Sequence, residues 1–181
     1  MALLTLAQAK QQLDIETTTE DDELQAYINA LTPVIERYVG PVENRTVTEV
    51  VDGHGLRLAL TQVPAVSLTS VTSLRGGSTV SPDALVLDSA AGVVWRRDGV
   101  SWTGGPWAVA YVAGRGEVPP TINLAARILL QHLWRTQYGA ARGGGGSDDF
   151  SVTEPVAGWG YAVPNRVLQL LEAYKVPPGV A

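Results

Sequence analysis

Few side chains in this sequence are of the type and at the spacing that ligand binding requires. Gly114-Arg115-Gly116 lies between a predicted strand and a predicted helix, a position where free backbone N–H groups and the helix dipole can bind a phosphate. There is no GxGxxG or Walker motif, and Pro119 and Pro120 remove two of the N–H donors that a phosphate would use. We therefore interpret Gly114, Gly116, Pro119 and Pro120 as a structural joint.

Other residues that could take part in chemistry are isolated from one another. The run Glu20–Glu23 offers oxygen ligands for a divalent cation, but an acidic run at this position more often complements a helix dipole. His54 and His132 have no carboxylate at a spacing that would form a relay, and no serine lies in a GxSxG motif. The chain contains no cysteine. The sequence therefore predicts no catalytic residue, no metal site and no cofactor, and a protein that is not an enzyme.

The five tryptophans allow two interpretations. Trp95, Trp107 and Trp134 occupy positions in apolar patterns and are predicted to be core residues. Trp102 and Trp159 lie in glycine-rich loops, where large aromatic side chains often contact a partner. The side chains of these two tryptophans could either pack back onto the domain or contact a partner, and the sequence does not decide between these roles.

The joint connects the two clearest elements of the sequence. In the segment Trp107–Ala113 both alternating faces are apolar, which is typical of a strand covered on both sides. Beyond Thr121, apolar residues recur at intervals of three and four as far as Trp134, which predicts a helix of about five turns ending at Gly139.

The rest of the chain divides into helical and extended regions. Thr5 and Gln8 have the spacing of a capping box and predict a helix to Leu13. A second helix is predicted from a Thr19 cap to Tyr38, with a kink at Pro33. A last helix is predicted over Asn165–Tyr174, preceded by Pro164.

Residues 45–113 alternate with a period of two between turn signals and predict five or six antiparallel strands. The turns are expected at residues 52–55, 75–77, 91–92 and 103–106. The sequence thus predicts an α+β fold, a small bundle of N- and C-terminal helices with an inserted antiparallel β-sheet. Residues 140–160 contain GGGGS and are expected to be a flexible loop.

Composition limits the classes of function. A length of 181 residues with 45% hydrophobic residues suits a single domain. The net charge of −5 opposes rather than attracts a nucleic-acid backbone. No apolar run is long enough for a membrane span, and the N-terminus does not have the pattern of a signal peptide, so we expect a protein made and kept in the cytosol.

Three stretches resemble the head-to-tail connector (adaptor) proteins of long-tailed double-stranded DNA bacteriophages. The first is TLAQAKQQLDI followed by DDELQAYINALTPVIERYVG, the second is YVAGRGEVPPTINLAARILLQHLWRTQYG, and the third is PNRVLQLLEAYK. The aromatic-Xaa-Gly end of the second helix is Tyr38-Val39-Gly40. In the second stretch, the family pattern of Tyr, Gly and Pro before an alanine-rich helix corresponds to Tyr111, Gly114 and Pro119, and the alanines are Ala125-Ala126. The resemblance covers the helical parts well and residues 45–113 least.

This resemblance implies a virion structural protein in the neck between capsid and tail, assembled in the host cytoplasm. It implies a single connector domain over residues 1–181, with a β insertion at 45–113 and a C-terminal helix and tail at 164–181. The implied partners are the portal protein, a stopper or tail-completion protein, and further copies of the chain in a dodecameric ring through which DNA only passes. The expected portal or partner contacts lie in the C-terminal segment, at Trp159, Tyr161, Leu168, Leu171 and Tyr174.

The resemblance leaves the surfaces between ring neighbours to be identified. A ring requires two different complementary patches on each subunit, for which we consider the outer faces of the long helix and of the sheet. Two other functions remain open. The chain could be another neck protein such as a stopper, or, less in keeping with its sequence, a carbohydrate-binding module that uses exposed tryptophans.

Overall fold

A computed structural model describes residues 2–53, 55–138 and 163–176. The chain divides into two compact units. Residues 40–117 belong to a β unit, whereas residues 2–39 and 118–175 belong to a helical unit. Helices from both ends of the sequence therefore fold together in one unit, and the strands that lie between them in sequence form the other, which confirms the predicted α+β class.

The helical unit begins with two helices, α1 at Leu6–Leu13 and α2 at Asp21–Val39. The predicted capping box of α1 is confirmed, because the Thr5 hydroxyl accepts a bond from the Gln8 amide and the Gln8 side chain accepts one from the Thr5 amide. The Lys10 ammonium lies 2.6 Å from the Asp21 carboxylate and links α1 to the start of α2. α2 is continuous through Pro33, and the kink stays a prediction.

The second half of this unit contains the long helix α3, Pro120–Tyr138, and the short helix α4, Asn165–Leu171. A 3-10 turn at Glu172–Tyr174 continues α4. The Asn123 amide donates to the Leu3 carbonyl at 2.8 Å and Gln12 donates to Gln131 at 2.9 Å, which attaches α3 to the N-terminal region. The rings of Tyr27 and Trp134 meet edge to face at 5.6 Å, and Trp134 is buried as predicted.

The β unit consists of seven strands in two antiparallel sheets within the described residues. A four-stranded sheet has the order β1-β7-β3-β4, and a three-stranded sheet has the order β2-β6-β5. The strands are β1 Arg45–Val51, β2 Leu58–Ala59, β3 Ala65–Ser73, β4 Thr79–Val80, β5 Leu85–Asp88, β6 Val93–Arg96 and β7 Trp107–Ala113. The predicted number of five or six strands was too low, because β2 and β4 have two residues each and are too short to leave a periodic pattern.

Both sheets contribute to one hydrophobic core. β7 lies between β1 and β3 and directs Trp107, Val109, Tyr111 and Ala113 into this core, which confirms it as a core strand. Its other face is half-buried. Five apolar residues of the predicted strand pattern are exposed instead of buried. Val50, Val66 and Val86 lie on strand faces that point to solvent, since an antiparallel sheet packs one face on the core and leaves the other to solvent. Leu56 and Leu74 lie in turns outside the strands.

Tyr111 is a completely buried side chain with a hydrogen-bonded hydroxyl. The hydroxyl donates to Glu49 at 3.0 Å and accepts from the Gln62 amide at 3.1 Å. Glu49 also accepts from the backbone and the hydroxyl of Thr61. This network ties the middle of β1 to the loop before β3.

We expect Tyr111→Phe to lower the free energy of unfolding by about 1–3 kcal/mol, because the partly buried Gln62 amide loses its acceptor. Urea unfolding measures this loss. Thr69→Val is the control, since it removes an exposed hydroxyl from β3 and should change stability by less than about 0.5 kcal/mol. Equal effects of the two substitutions would contradict a role for the network.

The same substitution should have a pH-dependent effect. Burial raises the pKa of Tyr111 to about 12, above the ordinary value of about 10. The neutral hydroxyl therefore contributes its full stabilisation below about pH 10, and that contribution is lost as the pH rises through about 12. The difference in unfolding free energy between the wild type and Tyr111→Phe should shrink from pH 9 to pH 11.5. A constant difference would contradict this assignment.

Candidate partner-binding surfaces

The predicted joint is a tightly bonded turn in the β unit. Gly114 has a φ of 139° and Gly116 a φ of 73°, values that favour glycine. A Cβ on Gly114 would lie 2.6 Å from Asn44 Oδ1 and 2.7 Å from the backbone oxygen of Glu43. No side chain fits at position 114 because the chain entering β1 passes directly beside it.

All four amides of this turn already have partners. Gly114 N–H donates to the Pro64 carbonyl and Arg115 N–H to the Val42 carbonyl. Gly116 N–H donates to Asn44 Oδ1 at 2.7 Å, and Glu117 N–H donates to the Arg115 carbonyl. None of these four backbone amides is therefore left unpaired for a phosphate, which supports the structural interpretation.

Pro119 and Pro120 mark the start of α3, as predicted from their fixed φ. Pro120 is the first helical residue, where a missing N–H costs nothing, and the Pro119 carbonyl accepts from Asn123 at 3.1 Å. All four joint residues thus have structural positions. Gly114 and Gly116 form the turn that follows β7, and the two prolines lie at the start of the long helix.

The predicted partner contacts in the C-terminal segment have different environments. Leu171 is completely buried, while Leu168 and Tyr174 are half-buried. Trp159 and Tyr161 lie outside the described residues, as does the 140–160 segment predicted to be flexible. In the helical unit Leu171 shares its buried face with Val163 and Val167, so its side chain belongs to the core of the subunit in this conformation.

The opposite face of α4 is open to solvent. Arg166 and Gln169 are exposed there, followed by Glu172 and Ala173 in the 3-10 turn. These residues were missed by sequence reasoning, which selected the apolar members of the segment. Helical spacing could have identified them, because it places Arg166 and Gln169 on the face opposite Val167 and Leu171.

A polar cluster fixes the end of this segment to α2. The Tyr38 hydroxyl donates to Glu172, and Lys175 lies 5.3 Å from the centre of the Tyr38 ring and 3.6 Å from Glu172. The hydrogen bond to Tyr38 lowers the pKa of Glu172, with a smaller contribution from Lys175. The same bond raises the pKa of Tyr38. The carboxylate is thus held in its charged form, in which it can contact both neighbours.

Three of the four tryptophans in the described ranges are buried. Trp102 is 2% exposed, donates from Nε1 to the Val94 carbonyl at 3.3 Å and packs edge to face against Trp107 at 5.1 Å. It is a core residue of the β unit, which settles the choice left open by its glycine-rich loop. Trp107 is also buried, as predicted, whereas the core prediction for Trp95 was wrong, because this side chain is only half-buried. Because Trp102 is buried, it cannot stack on a carbohydrate in this conformation.

The other residues considered for chemistry remain separate. Within the described ranges there is no group of three His, Asp or Glu side chains placed to hold a metal ion. Of the acidic run, Asp21 pairs with Lys10 and Asp22 is exposed. His132 is half-buried on α3, and His54 is outside the described residues. No helix in the part of the chain that is described has both the length and the hydropathy to span a bilayer.

The two candidate ring surfaces differ in exposure. On α3, from 120 to 135, only Pro120, Leu124 and Arg135 are exposed, so this helix offers little free surface. The four-stranded sheet offers more, because its outer face includes Thr46, Thr48 and Val50 of the edge strand β1. The β unit is therefore the larger candidate surface for contacts with a partner.

Solved structures with a similar fold come from gene transfer agent (GTA) particles. A chain in the neck of an empty GTA particle computed with C6 symmetry matches with a TM-score of 0.63 and 18% sequence identity, and the match covers 99% of this chain and 92% of that chain. A chain in the neck of a native GTA particle computed with C12 symmetry matches with a TM-score of 0.61 and 19% identity, over 97% of this chain and 90% of that chain. A chain in the virion of a native gene transfer agent particle matches with a TM-score of 0.61 and 18% identity, over 99% of this chain and 92% of that chain.

Sequence comparison gives the family. No curated protein sequence matches this chain significantly. The head completion protein family matches residues 2–176, which is nearly the entire chain and includes the helical unit, the joint and the β unit. The chain therefore belongs to the head completion protein family.

Proposed function

We propose that this protein is a head-to-tail connector, which forms a ring beneath the portal and joins the DNA-filled capsid to the tail. The observation that carries the proposal is the family match over residues 2–176. The structures of similar fold support it, since they come from necks, one of them computed with twelvefold symmetry. The proposed location is the virion neck.

The proposed partners are the portal on one side and a stopper or tail-completion protein on the other. We assign portal contact to the C-terminal segment, as the resemblance implies. In the described conformation the exposed face of α4, with Arg166 and Gln169, is available for it. Leu168 and Tyr174 border this face, and Trp159 and Tyr161 precede it in sequence. Leu171 would take part only if the segment left the core of its unit.

The charge of the chain suits a ring through which DNA passes. A net charge of −5 gives the protein little general affinity for phosphates. A ring of such subunits would not retain the DNA electrostatically during ejection. DNA is therefore proposed to be a passing contact and not a bound ligand.

A charge reversal on α4 tests portal contact. Deleting residues 164–181 would be unsuitable, since it removes the buried Val167 and Leu171. Arg166→Glu combined with Gln169→Glu changes only exposed positions. We expect at least a tenfold loss of binding to isolated portal in a pull-down, with an unchanged melting temperature, because charge changes at an interface cost about 1.4 kcal/mol or more.

The matched control places charge elsewhere on the helical unit. Ala26→Glu combined with Ala30→Glu introduces two carboxylates on the exposed face of α2, and we expect wild-type portal binding. Unchanged binding of the α4 variant would contradict the assignment of this face. Loss of binding in both variants would point to a general charge effect and would also contradict it.

A further inference from the structure

Three loops meet at one end of the β unit. They connect β1 to β2, β3 to β4 and β6 to β7. The register places the ends of β1 and β3 beside the start of β7, because Val51 and Ser73 both pair with Trp107. These loops form the tip of the β unit, which comprises residues 52–53, 55–57, 74–78 and 97–106 among those described.

Hydrogen bonds between the loops hold the backbone of the tip in place. Trp102 N–H donates to the Gly55 carbonyl at 2.7 Å, and Leu74 N–H donates to the Pro106 carbonyl at 3.0 Å. The loop between β6 and β7 is therefore bonded to both of the others. A surface whose backbone is already ordered loses little conformational freedom when it binds a partner.

The tip exposes large aliphatic side chains together with arginines. Leu56 is 54% exposed, Leu74 55% and Val100 49%, and each belongs to a different loop. Arg57 and Arg75 follow the two leucines in sequence and are also exposed, and neither forms an ion pair with another described residue. Clustered apolar groups and arginine are typical of a protein-binding surface.

The tip is positively charged, whereas the chain as a whole has a net charge of −5. The three loops contain three arginines and two aspartates. One of the aspartates, Asp98, is already paired with Arg96 at the end of β6, so three arginines face a single further carboxylate. A surface that complements the tip should therefore be acidic.

The residues that join α1 to α2 are strongly acidic. Residues 14–23, the acidic turn, contain six carboxylates and no basic residue. Lys10 pairs with Asp21, but Glu16 and Asp22 are exposed and form no ion pair with another described residue. No group of described carboxylates is placed to hold a metal ion. The acidic turn is therefore available to the cations of a protein partner.

We propose that the tip of one subunit binds the acidic turn of its neighbour in the ring. In this contact Arg57 and Arg75 pair with Glu16 and Asp22. The exposed aliphatic side chains of the tip exclude water from these pairs and contact Ile15, which is half-buried in the acidic turn.

The symmetry of a ring favours a second copy of the chain as the partner. A ring requires two different complementary patches on each subunit. The tip and the acidic turn differ in charge, and they belong to different units of the chain. Each subunit thus carries both halves of the contact. The inference rests on the proposed connector function, since the ring supplies the neighbour.

Charge reversal on each side tests the contact. The tip variant is Arg57→Glu combined with Arg75→Glu, and the turn variant is Glu16→Arg combined with Asp22→Arg. All four positions are exposed, so the melting temperatures should stay close to that of the wild type. Either variant alone places like charges at every ring contact. We expect at least tenfold weaker loading on isolated portal, measured by mass photometry.

A mixture of the two variants gives the most specific result. In a ring where they alternate, the new glutamates of one variant meet the new arginines of the other, and the unchanged tip meets the unchanged acidic turn. An even-numbered ring allows this alternation throughout, so an equimolar mixture should load as well as the wild type. The control is Ala90→Glu combined with Ala91→Glu in the exposed β5–β6 turn, at the other end of the β unit, and it should load normally.

Each outcome decides the proposal. Weak loading of both variants with recovery in the mixture supports it. Normal loading of either variant alone, or a mixture that loads no better than its components, overturns the contact and leaves the connector function standing. Weak loading of the control variant would show a general effect of charge and would also overturn the contact. Wild-type protein that does not load on portal would overturn both proposals.

Discussion

Replacing Trp102 by alanine should lower the free energy of unfolding by about 3–5 kcal/mol, the usual cost of removing a large core aromatic. Trp102 is 2% exposed in the β unit, where it contacts Trp107 and donates to Val94. The substitution leaves a cavity between the sheets and an unpaired carbonyl. Denaturant unfolding followed by circular dichroism measures the loss.

Val100→Ala is the matched control for this prediction. Val100 is two residues away and 49% exposed, so its truncation should cost less than about 1 kcal/mol. A fully stable Trp102→Ala variant with impaired partner binding would contradict the core assignment. It would restore the interpretation of Trp102 as an anchor for a partner.

Gly114→Ala should destabilise the protein by at least about 3 kcal/mol, through backbone strain combined with a steric clash. A φ of 139° is suited to glycine, and the new Cβ would lie 2.7 Å from the backbone of Asn44 and Glu43. Relieving the contact requires moving the chain that enters β1. The melting temperature and the urea midpoint should both fall.

Gly116→Ala separates these two causes. Gly116 also has a positive φ, 73°, but a Cβ there would meet no atom within 4 Å. We expect only the conformational cost, about 1–2 kcal/mol. If Gly114→Ala were no more harmful than Gly116→Ala, the close packing of the joint against Val42–Asn44 would not be the reason for the glycine.

The elements predictable from sequence were those defined by local spacing. Thr5 and Gln8 form their capping box because both partners lie within one turn. The end of β7, the glycine turn and the start of α3 at Pro120 follow from φ preferences of the residues themselves. No long-range contact was needed to predict them.

The arrangement of the strands depended on contacts between distant residues. β2 pairs with β6 through two residues, with Leu58 opposite Val94. β4 likewise pairs with β3 through two residues, with Val80 opposite Val71. Such short strands are stabilised by the strand beside them and not by their own pattern. The division into two sheets, and the place of Trp102 in the core that both form, could not be predicted from local sequence.

The candidate binding residues had a related difficulty. Leu168, Leu171 and Tyr174 were predicted as partner contacts because the family resemblance implies that the C-terminal segment binds the portal, and they are apolar residues of that segment. An apolar stripe looks the same whether it packs on its own subunit or on a partner. In the structure Leu171 packs within its own unit, while Arg166 and Gln169 face solvent.

We propose that this chain assembles as a ring on the portal. Mass photometry of isolated portal with and without the purified protein tests it most directly. We predict a single new species whose mass exceeds that of the portal by twelve chains of 19.2 kDa. A portal mass that does not change at saturating protein would contradict the claim and favour a position elsewhere in the neck.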